Sequence, residues 1–335
     1  MAKLTLGFIS AFNERVEPLM NGTVKAEGIE LIPTYSHPAE TFWRQLKFGE
    51  FEVAEMSMSS YLIAKAQGAD MIALPAFPSR RLFQTELSYH VDSGITRPED
   101  LAGKRLGVAE YQQTAALWIR GILEHDFGVS RYKIHWYMER SEEMSHGGAT
   151  GFKPPEGISF QRIDKIKSLA STLLANELDV AHVASPWVLQ ANALDRSSRI
   201  GGSDWSKVKP LFPDRMAEGA RFYKTHGFLP VNHAYIVRGD IHKKYPWVAF
   251  NLYTGLVKAK ALARQKMLEQ IPSALFFGPE YAAITSQLIG DDPFPFGIKA
   301  NRAMLDTIIG YSHEQGLTPR RLSIEELFAE STLDL

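Results

Sequence analysis

The chain contains no cysteine among its 335 residues. This absence excludes disulfide bonds, thiolate metal ligands and a cysteine nucleophile. A surplus of either charge is also lacking, because 37 lysines and arginines stand against 38 aspartates and glutamates, for a net charge of -1. Proteins that bind nucleic acid through its phosphates carry a surplus of basic residues, so no nucleic-acid partner is expected.

Long apolar runs are missing too. No segment approaches the roughly 18 consecutive apolar residues that cross a bilayer, so no membrane partner is expected. The stretch Met1–Ser10 is only as long as a strand and lacks the apolar core and cleavage site of a secretory signal. Together these absences predict a cytoplasmic protein.

Several well-known site motifs are absent. The sequence has no Walker loop, no G-x-S-x-G elbow and no H-E-x-x-H pair, so neither a metal nor another cofactor is expected. Three glycines lie in 147–151, within the polar stretch 141–157. Since no strand leads into them and no helix begins there, this stretch is interpreted as a surface loop and not as a phosphate loop.

The sequence does contain a strand–helix alternation. Apolar strands at 3–9, 29–33, 52–56 and 71–75 are separated by polar segments and by helices, of which the clearest is 38–48. This order is typical of an α/β fold with mainly parallel sheets. The chain is also long enough for two domains.

A second α/β domain is predicted to be inserted into the first. We expect domain I to comprise residues 1–91 and 234–335 and domain II to comprise residues 92–233. Two strands would form the hinge, and the ligand cleft would lie between the domains. The stretch 196–219 is interpreted as irregular.

One turn predicts an anion site. A strand at 106–109 leads through a polar turn into a helix at 115–125, and such a helix start offers unpaired N–H groups to an anion. Tyr111, Gln112 and Thr114 lie in this turn, although Thr114 also suits a helix N-cap. Arg120, about a turn and a half further, either binds substrate or forms a salt bridge on the helix face.

Polar residues also follow the strands of domain I, where α/β proteins bind ligands. Arginine suits carboxylates because its planar guanidinium binds both oxygens, although arginines in a turn can equally be surface residues. The serines that follow the third strand have a second interpretation, in which Ser59 or Ser60 caps the next helix. The candidate substrate-binding residues here are Ser10, Asn13, Ser57, Ser59, Arg80 and Arg81.

Two levels of resemblance follow. The two crossovers and the 98–108 stretch resemble the type II periplasmic-binding-protein fold. Longer segments resemble the 4,5-dihydroxyphthalate decarboxylase family: 77–80, 110–123, 227–233, 292–302, 314–317 and 322–328. The sequence departs from the family pattern in two places. Residues 13–16 match a short Asp-Arg-Thr-like run of the family only in part. Gln84-Thr85 stands where the family has Arg-His.

The family resemblance implies decarboxylation of a hydroxylated aromatic acid without a cofactor, with 4,5-dihydroxyphthalate converted to protocatechuate as the nearest candidate reaction. Such a reaction needs a proton donor above the ring carbon and cations or N–H donors for a retained carboxylate. The expected partner is a small aromatic carboxylate, and a homo-oligomer is left open. The alternatives are a solute-binding protein for a small organic anion, without catalysis, or another lyase or dehydratase on this fold.

Three residues are candidates for proton transfer. His233 is the first choice because it lies beside the return crossover and because histidine titrates near neutral pH; its alternative role is a structural hydrogen bond. His226 is the second choice. Glu55, near the end of an apolar strand, would have a raised pKa and could hold a proton if it were buried, or could pair with a neighbouring arginine.

Overall fold

The computed structural model describes residues 3–142, 145–183 and 204–335. Its strands are β1 (Leu4–Ser10), β2 (Ile29–Tyr35), β3 (Val53–Ser57), β4 (Met71–Arg80), β5 (Leu87–His90), β6 (Arg105–Val108), β7 (His135–Met138), β8 (Phe160–Arg162), β9 (Val180–His182), β10 (Val208–Pro210) and β11 (Val231–Arg238).

The α-helices lie between and after these strands. They are α1 (Glu17–Met20), α2 (Pro38–Phe48), α3 (Met58–Ala66), α4 (Thr114–Phe127), α5 (His146–Thr150), α6 (Leu169–Leu174), α7 (Arg215–His226), α8 (Gly239–Lys244), α9 (Trp247–Ala274), α10 (Gly278–Ile289), α11 (Arg302–Glu314) and α12 (Ile324–Leu327).

The strands form two mixed sheets with the orders β2-β1-β3-β11-β4 and β10-β5-β9-β6-β7-β8. In the first sheet β11 runs antiparallel to both β3 and β4, and in the second β5 runs antiparallel to both β9 and β10. The remaining described strands of each sheet share one direction, as the strand–helix alternation requires. The predicted α/β fold with mainly parallel sheets is thus confirmed.

The chain divides into two compact units. The first comprises Met1–Arg81, Phe222–Gly310 and Thr318–Leu335, and the second comprises Leu82–Arg221 and Tyr311–Leu317. The chain therefore passes between the units four times, and the first two passages, at 81/82 and 221/222, lie before the predicted boundaries at 91/92 and 233/234. The first passage comes earlier than predicted because β5 pairs with β9 of the second sheet and so belongs to the second unit. The division into two folding domains stays a prediction.

Local signals explain the element that the sequence predicted best. Helix α2 begins with Pro38, its N-cap His37 accepts a hydrogen bond from the Ala39 N–H at 3.3 Å, and Gly49 ends it with a φ of 58°. Proline at the first position and a left-handed glycine after the last are the usual boundaries of a helix. The prediction of a helix at 38–48 is confirmed.

Two other expectations are wrong. The glycine stretch interpreted as a loop contains α5, because Ser145 accepts a hydrogen bond from the Gly148 N–H at 3.3 Å and thereby caps a short helix. The stretch interpreted as irregular contains β10 and the start of α7, and its residues 196–203 lie outside the described residues.

Candidate active site

In the first unit, a polar cluster lies among apolar neighbours at the centre of the sheet. Glu55 and Tyr235 are directly opposite one another on β3 and β11, and His233 is opposite Ser57. Ser10 is the last residue of β1, the other neighbour of β3. Because β1, β3 and β11 are adjacent strands, their polar side chains can meet.

Glu55 is the centre of this cluster. Its side chain is buried, and it accepts hydrogen bonds from the Ala11 N–H at 2.8 Å and from the Ser10 hydroxyl at 3.0 Å, both on Oε2. Its Oε1 lies 2.6 Å from Nδ1 of His233. Burial alone would raise the pKa of Glu55, but the bonds from His233, Ala11 and Ser10 hold that pKa below its ordinary value. The predicted raised pKa is therefore wrong, and the predicted arginine partner is a histidine.

His233 is held by its partners in a defined orientation. The pairing of β11 with β4 shifts register on both sides of His233, and the Phe42 ring packs edge-on against the imidazole with centroids 4.8 Å apart. With Nδ1 bonded to Glu55, no residue of the described ranges hydrogen-bonds Nε2. A carboxylate that fixes one imidazole nitrogen leaves the other free to give or take a proton, and it stabilises the protonated ring.

A second hydroxyl extends the cluster away from His233. The Tyr235 hydroxyl lies 3.0 Å from the Ser10 hydroxyl. Because Ser10 has one proton to give, its bond to Glu55 requires Tyr235 to donate to Ser10. Burial and the charge of Glu55 raise the pKa of Tyr235 well above its ordinary value, so that Tyr235 stays a neutral donor.

Arg80 ends β4 and is almost completely buried. Its guanidinium donates to the carbonyls of Leu229 and Pro295, both at 2.9 Å, and to the side-chain oxygen of Asn301. No carboxylate of the described residues pairs with it, and its Nε has no partner. Burial lowers the pKa of Arg80 to about 10, which leaves it protonated at neutral pH. Arg81 follows it, partly buried, with its N–H bonded to the Pro230 carbonyl at 3.1 Å.

The other candidates of the first unit make local contacts. Asn13 accepts from the Arg15 N–H at 3.0 Å and donates to the Pro78 carbonyl at 2.9 Å. Ser57 is the residue before α3, and its hydroxyl lies 3.4 Å from that of Ser59, which is inside the helix. The helix-cap interpretation is wrong, because the N-cap is Ser57, which makes no side-chain capping bond, and Ser59 and Ser60 lie inside the helix. Whether these residues bind a ligand stays a prediction.

His226 does not join the Glu55 cluster. It is the last residue of α7, and its ring packs on Phe222 with centroids 4.3 Å apart and on Phe228 with centroids 5.8 Å apart. This packing makes it a useful comparison for His233 in experiments.

In the second unit, Arg120 is buried in α4 beneath the turn that was predicted to bind an anion. It donates to the Tyr111 carbonyl at 2.6 Å and to the Gln315 side chain at 2.7 Å, and it lies 3.8 Å from the centre of the Tyr111 ring. Burial lowers the pKa of Arg120 to about 10. The predicted salt bridge on the helix face is therefore wrong, because Arg120 packs inward and bonds to a carbonyl and an amide.

Tyr111 and Thr114 are also buried in this region. The Tyr111 ring stacks on Phe152 with centroids 6.3 Å apart, and its hydroxyl has no hydrogen-bond partner among the described residues. Thr114 is the first residue of α4, and the N-cap is Gln113. The N-cap interpretation of Thr114 is thus off by one residue.

The sequence did not predict a role for Glu110. This buried carboxylate accepts from the Ser145 hydroxyl at 2.9 Å, from the His146 N–H at 3.2 Å and from Arg140. Gln112 also donates to it. Burial would raise the pKa of Glu110, but the charges of His146 and Arg140 and these hydrogen bonds lower it to about 2.

A sequence signal for this ion pair exists in retrospect. Val108 and Met138 are paired in register at the ends of the parallel strands β6 and β7. Glu110 and Arg140 each follow their strand end by two residues. Opposite charges at the same offset after adjacent parallel strands are close in space.

Beside this pair, the second unit contains a pocket of about 100 Å³. Its wall combines aromatic rings, the Gln112 amide and two basic side chains, and the wall residues include Tyr111, Gln112, Phe152, Lys153, Phe160 and Arg162. Two predicted substrate-binding residues, Tyr111 and Gln112, are thus brought together at one pocket.

Residues 3–142, 145–183 and 204–335 contain no group of three or more His, Cys, Asp or Glu side chains that could hold a metal ion. In the same ranges, no helix is long and apolar enough to span a bilayer.

Comparison with solved structures gives the class of fold. The chain is similar to the periplasmic aliphatic sulphonate binding protein SsuA from Escherichia coli, with a TM-score of 0.53 and 13% identity, over 98% of this chain and 92% of that one. At such low identity the similarity shows the fold alone, which is that of the periplasmic binding proteins.

Comparison with known sequences gives the family. A family profile described as NMT1/THI5 like matches residues 24–147. The 4,5-dihydroxyphthalate decarboxylase of Comamonas testosteroni is 30% identical over 338 residues, which cover 100% of this chain and 99% of the relative. The protein of the same name from Pseudomonas putida is 34% identical over 180 residues, or 53% of this chain and 70% of the relative. The chain belongs to the 4,5-dihydroxyphthalate decarboxylase family and is an enzyme of the carboxy-lyase class.

Proposed function

We propose that this enzyme removes CO₂ from a hydroxylated aromatic carboxylic acid and that 4,5-dihydroxyphthalate is its substrate, with protocatechuate as the product. Family membership supports the reaction class. The observation that carries the proposal is the pair formed by Glu55 and His233, in which a buried carboxylate holds one imidazole nitrogen and leaves the other available.

The reaction needs one proton and no redox partner. His233, protonated on Nε2, gives its proton to the ring carbon that carries the carboxylate, and a ring hydroxyl releases electron density to that carbon. The bond to the carboxylate then breaks, its electron pair restores the aromatic ring, and CO₂ leaves. His233 takes up a proton from water to complete the cycle.

Glu55 is assigned the role of a positioning residue. Its pKa lies below the ordinary value, so at neutral pH it carries the negative charge that stabilises a protonated His233.

Arg80 supports an acidic substrate through its own positive charge. It ends β4, where Val231 of β11 pairs with it, and it holds a buried positive charge that forms no ion pair with a carboxylate of the described residues. A substrate carboxylate would complete that balance of charge.

The departure at Gln84-Thr85 shapes the choice of substrates to test. Gln84 donates to Glu218 at 2.9 Å and Thr85 donates to the Leu82 carbonyl at 2.7 Å, so both side chains are engaged within the protein. A panel should therefore compare 4,5-dihydroxyphthalate with hydroxybenzoates that carry one carboxylate.

The first test is turnover. We expect CO₂ release from 4,5-dihydroxyphthalate with protocatechuate as the other product. His233→Ala should lower kcat by about 10²–10⁴-fold, the usual contribution of a general acid, while KM changes little. The matched control is His226→Ala, whose ring packs on phenylalanines and which should keep nearly full activity.

The Glu55→Gln variant tests the role of Glu55 as a positioning residue for His233. The amide can still contact His233 but carries no charge, so kcat should fall while the fold persists. Saturable binding of the whole panel without turnover would replace the proposal with a solute-binding role. Full activity of His233→Ala would remove His233 from the mechanism.

A further inference from the structure

The C-terminal half of α9 and all of α10 form a helical hairpin, residues 264–289, that is exposed along most of its length. The core side of α9 ends at Ala263, and in α10 the one buried residue of twelve is Gly278, with every residue of this segment inside the described ranges. A Cβ at Gly278 would lie 2.7 Å from a methyl of Ile271, which shows how closely the two helices approach at the turn.

The exposed hairpin is nevertheless apolar. The exposed fractions are 92% for Phe276, 58% for Phe277 and 57% for Tyr281. The exposed large apolar side chains of the hairpin also include Met267, Leu268, Leu275 and Leu288. An exposed patch of this kind on a globular protein marks an interaction surface.

We propose that the α9–α10 hairpin is the surface through which two copies of this chain associate. The first argument is area. With about 200 Å² per aromatic side chain, the three rings alone leave on the order of 400 Å² exposed. The four aliphatic side chains of the hairpin add to that figure, and a standard interface takes about 800 Å² from each partner.

The second argument is charge. The 26-residue hairpin carries four charged side chains: Arg264, Lys266, Glu269 and Glu280. In a twofold interface the same patch meets itself, so a patch with a net charge would repel its copy. Two positive and two negative charges give this hairpin no net charge and allow lysine and glutamate of opposite copies to pair. This balance favours a second copy over a strongly charged partner.

The first test measures the mass of the full chain in solution. Analytical ultracentrifugation at micromolar concentration should give the mass of at least two chains. Phe276→Glu combined with Phe277→Glu should halve that mass, because charges on both rings oppose burial. The matched control is Ile166→Glu in the second unit, since Ile166 is 89% exposed and lies outside the hairpin; it should leave the mass unchanged.

Cross-linking gives an independent measurement, because the chain contains no cysteine and an introduced one is its only thiol. Single variants Leu268→Cys, Phe276→Cys and Tyr281→Cys, treated with a flexible bis-maleimide, should yield covalent dimers from at least one position, while Ile166→Cys should not. A wild-type protein with the mass of one chain would overturn the proposal, as would a double glutamate variant of unchanged mass. Either result would assign the hairpin to a different partner or to none.

Discussion

Glu110 shows how one side chain can organise a region that the sequence left unassigned. It is fully buried yet charged, because Arg140 pairs with it and Ser145, His146 and Gln112 donate hydrogen bonds to it. Removing one partner of a buried ion pair is costly because the other charge stays buried without compensation. The carboxylate therefore links β6 to the start of α5.

We predict that Glu110→Gln lowers the free energy of unfolding by about 3–5 kcal/mol at pH 7, the usual cost of breaking a buried ion pair. Urea unfolding followed by circular dichroism measures this loss. Glu156→Gln is the control, because Glu156 is an exposed carboxylate of the same unit and its loss should change little.

The pH dependence of that loss has a defined sign. The pKa of Glu110 is lowered from 4.5 to about 2 in the folded protein, so its stabilisation is present above pH 4.5 and disappears as the pH falls toward 2. The difference between wild type and Glu110→Gln should shrink over the same interval. A constant difference across it would show that Glu110 does not titrate as argued.

The sequence predicts which residues belong to the site better than it predicts which of them contact one another. His233 and Glu55 were both chosen for proton transfer, but their mutual hydrogen bond was not foreseen, because it joins positions 178 apart in sequence. The expected rise in the pKa of Glu55 considered burial alone, whereas the structure adds three hydrogen-bond donors. Glu110 was missed for a similar reason, since its donors Ser145 and His146 come from a stretch interpreted as a plain loop.

Helix α4 contains a glycine whose role is visible only in the folded chain. A Cβ on Gly121 would lie 2.1 Å from the Tyr311 ring, and that ring is already stacked on His125 with centroids 5.0 Å apart. By contrast, Gly310 in α11 has nothing within 4 Å of the position its Cβ would take. The same substitution should therefore have opposite effects in these two helices.

We predict that Gly121→Ala destabilises the protein by about 1–3 kcal/mol, because the Tyr311 ring must move out of a packed position. Gly310→Ala should stabilise it by about 0.5–1 kcal/mol, since alanine favours the helix and meets no neighbour. Urea unfolding of both variants at pH 7 gives the two free energies. Equal signs would show that intrinsic helix propensity, and not packing against Tyr311, dominates at Gly121.

Elements with local boundary signals were predictable, and those without them were not. Helix α2 was predicted to the residue because Pro38 and Gly49 mark its ends. The start of α7 was missed because the preceding segment combines aromatic and polar residues without a clear period. Helix α5 was missed because glycine is a poor helix former, and only the cap from Ser145 and the charge of Glu110 beside its first N–H groups explain the helix.

For the whole molecule, the order of strands and helices was enough to predict the fold class, and it could not decide the function. The periplasmic-binding-protein fold is found in proteins that bind ligands and in enzymes, so the argument for catalysis rests on family membership and on the Glu55–His233 pair. The division into units was harder to predict, because the assignment of β5 depends on its pairing with β9, and periodicity does not reveal partners.

Binding and catalysis can be separated in a variant that does not consume its ligand. His233→Ala should bind 4,5-dihydroxyphthalate and leave it intact, and a ligand that binds only the folded state stabilises it by about 2.7 kcal/mol at 100 times its Kd. For a chain of 335 residues that unfolds in one transition, this corresponds to a rise in Tm of about 4 °C. Differential scanning fluorimetry measures the rise, and phthalate, which lacks the ring hydroxyls, should give a smaller one at the same concentration. If no hydroxylated benzoate or phthalate raised the Tm even at millimolar concentration, an aromatic acid would not be the ligand of this protein.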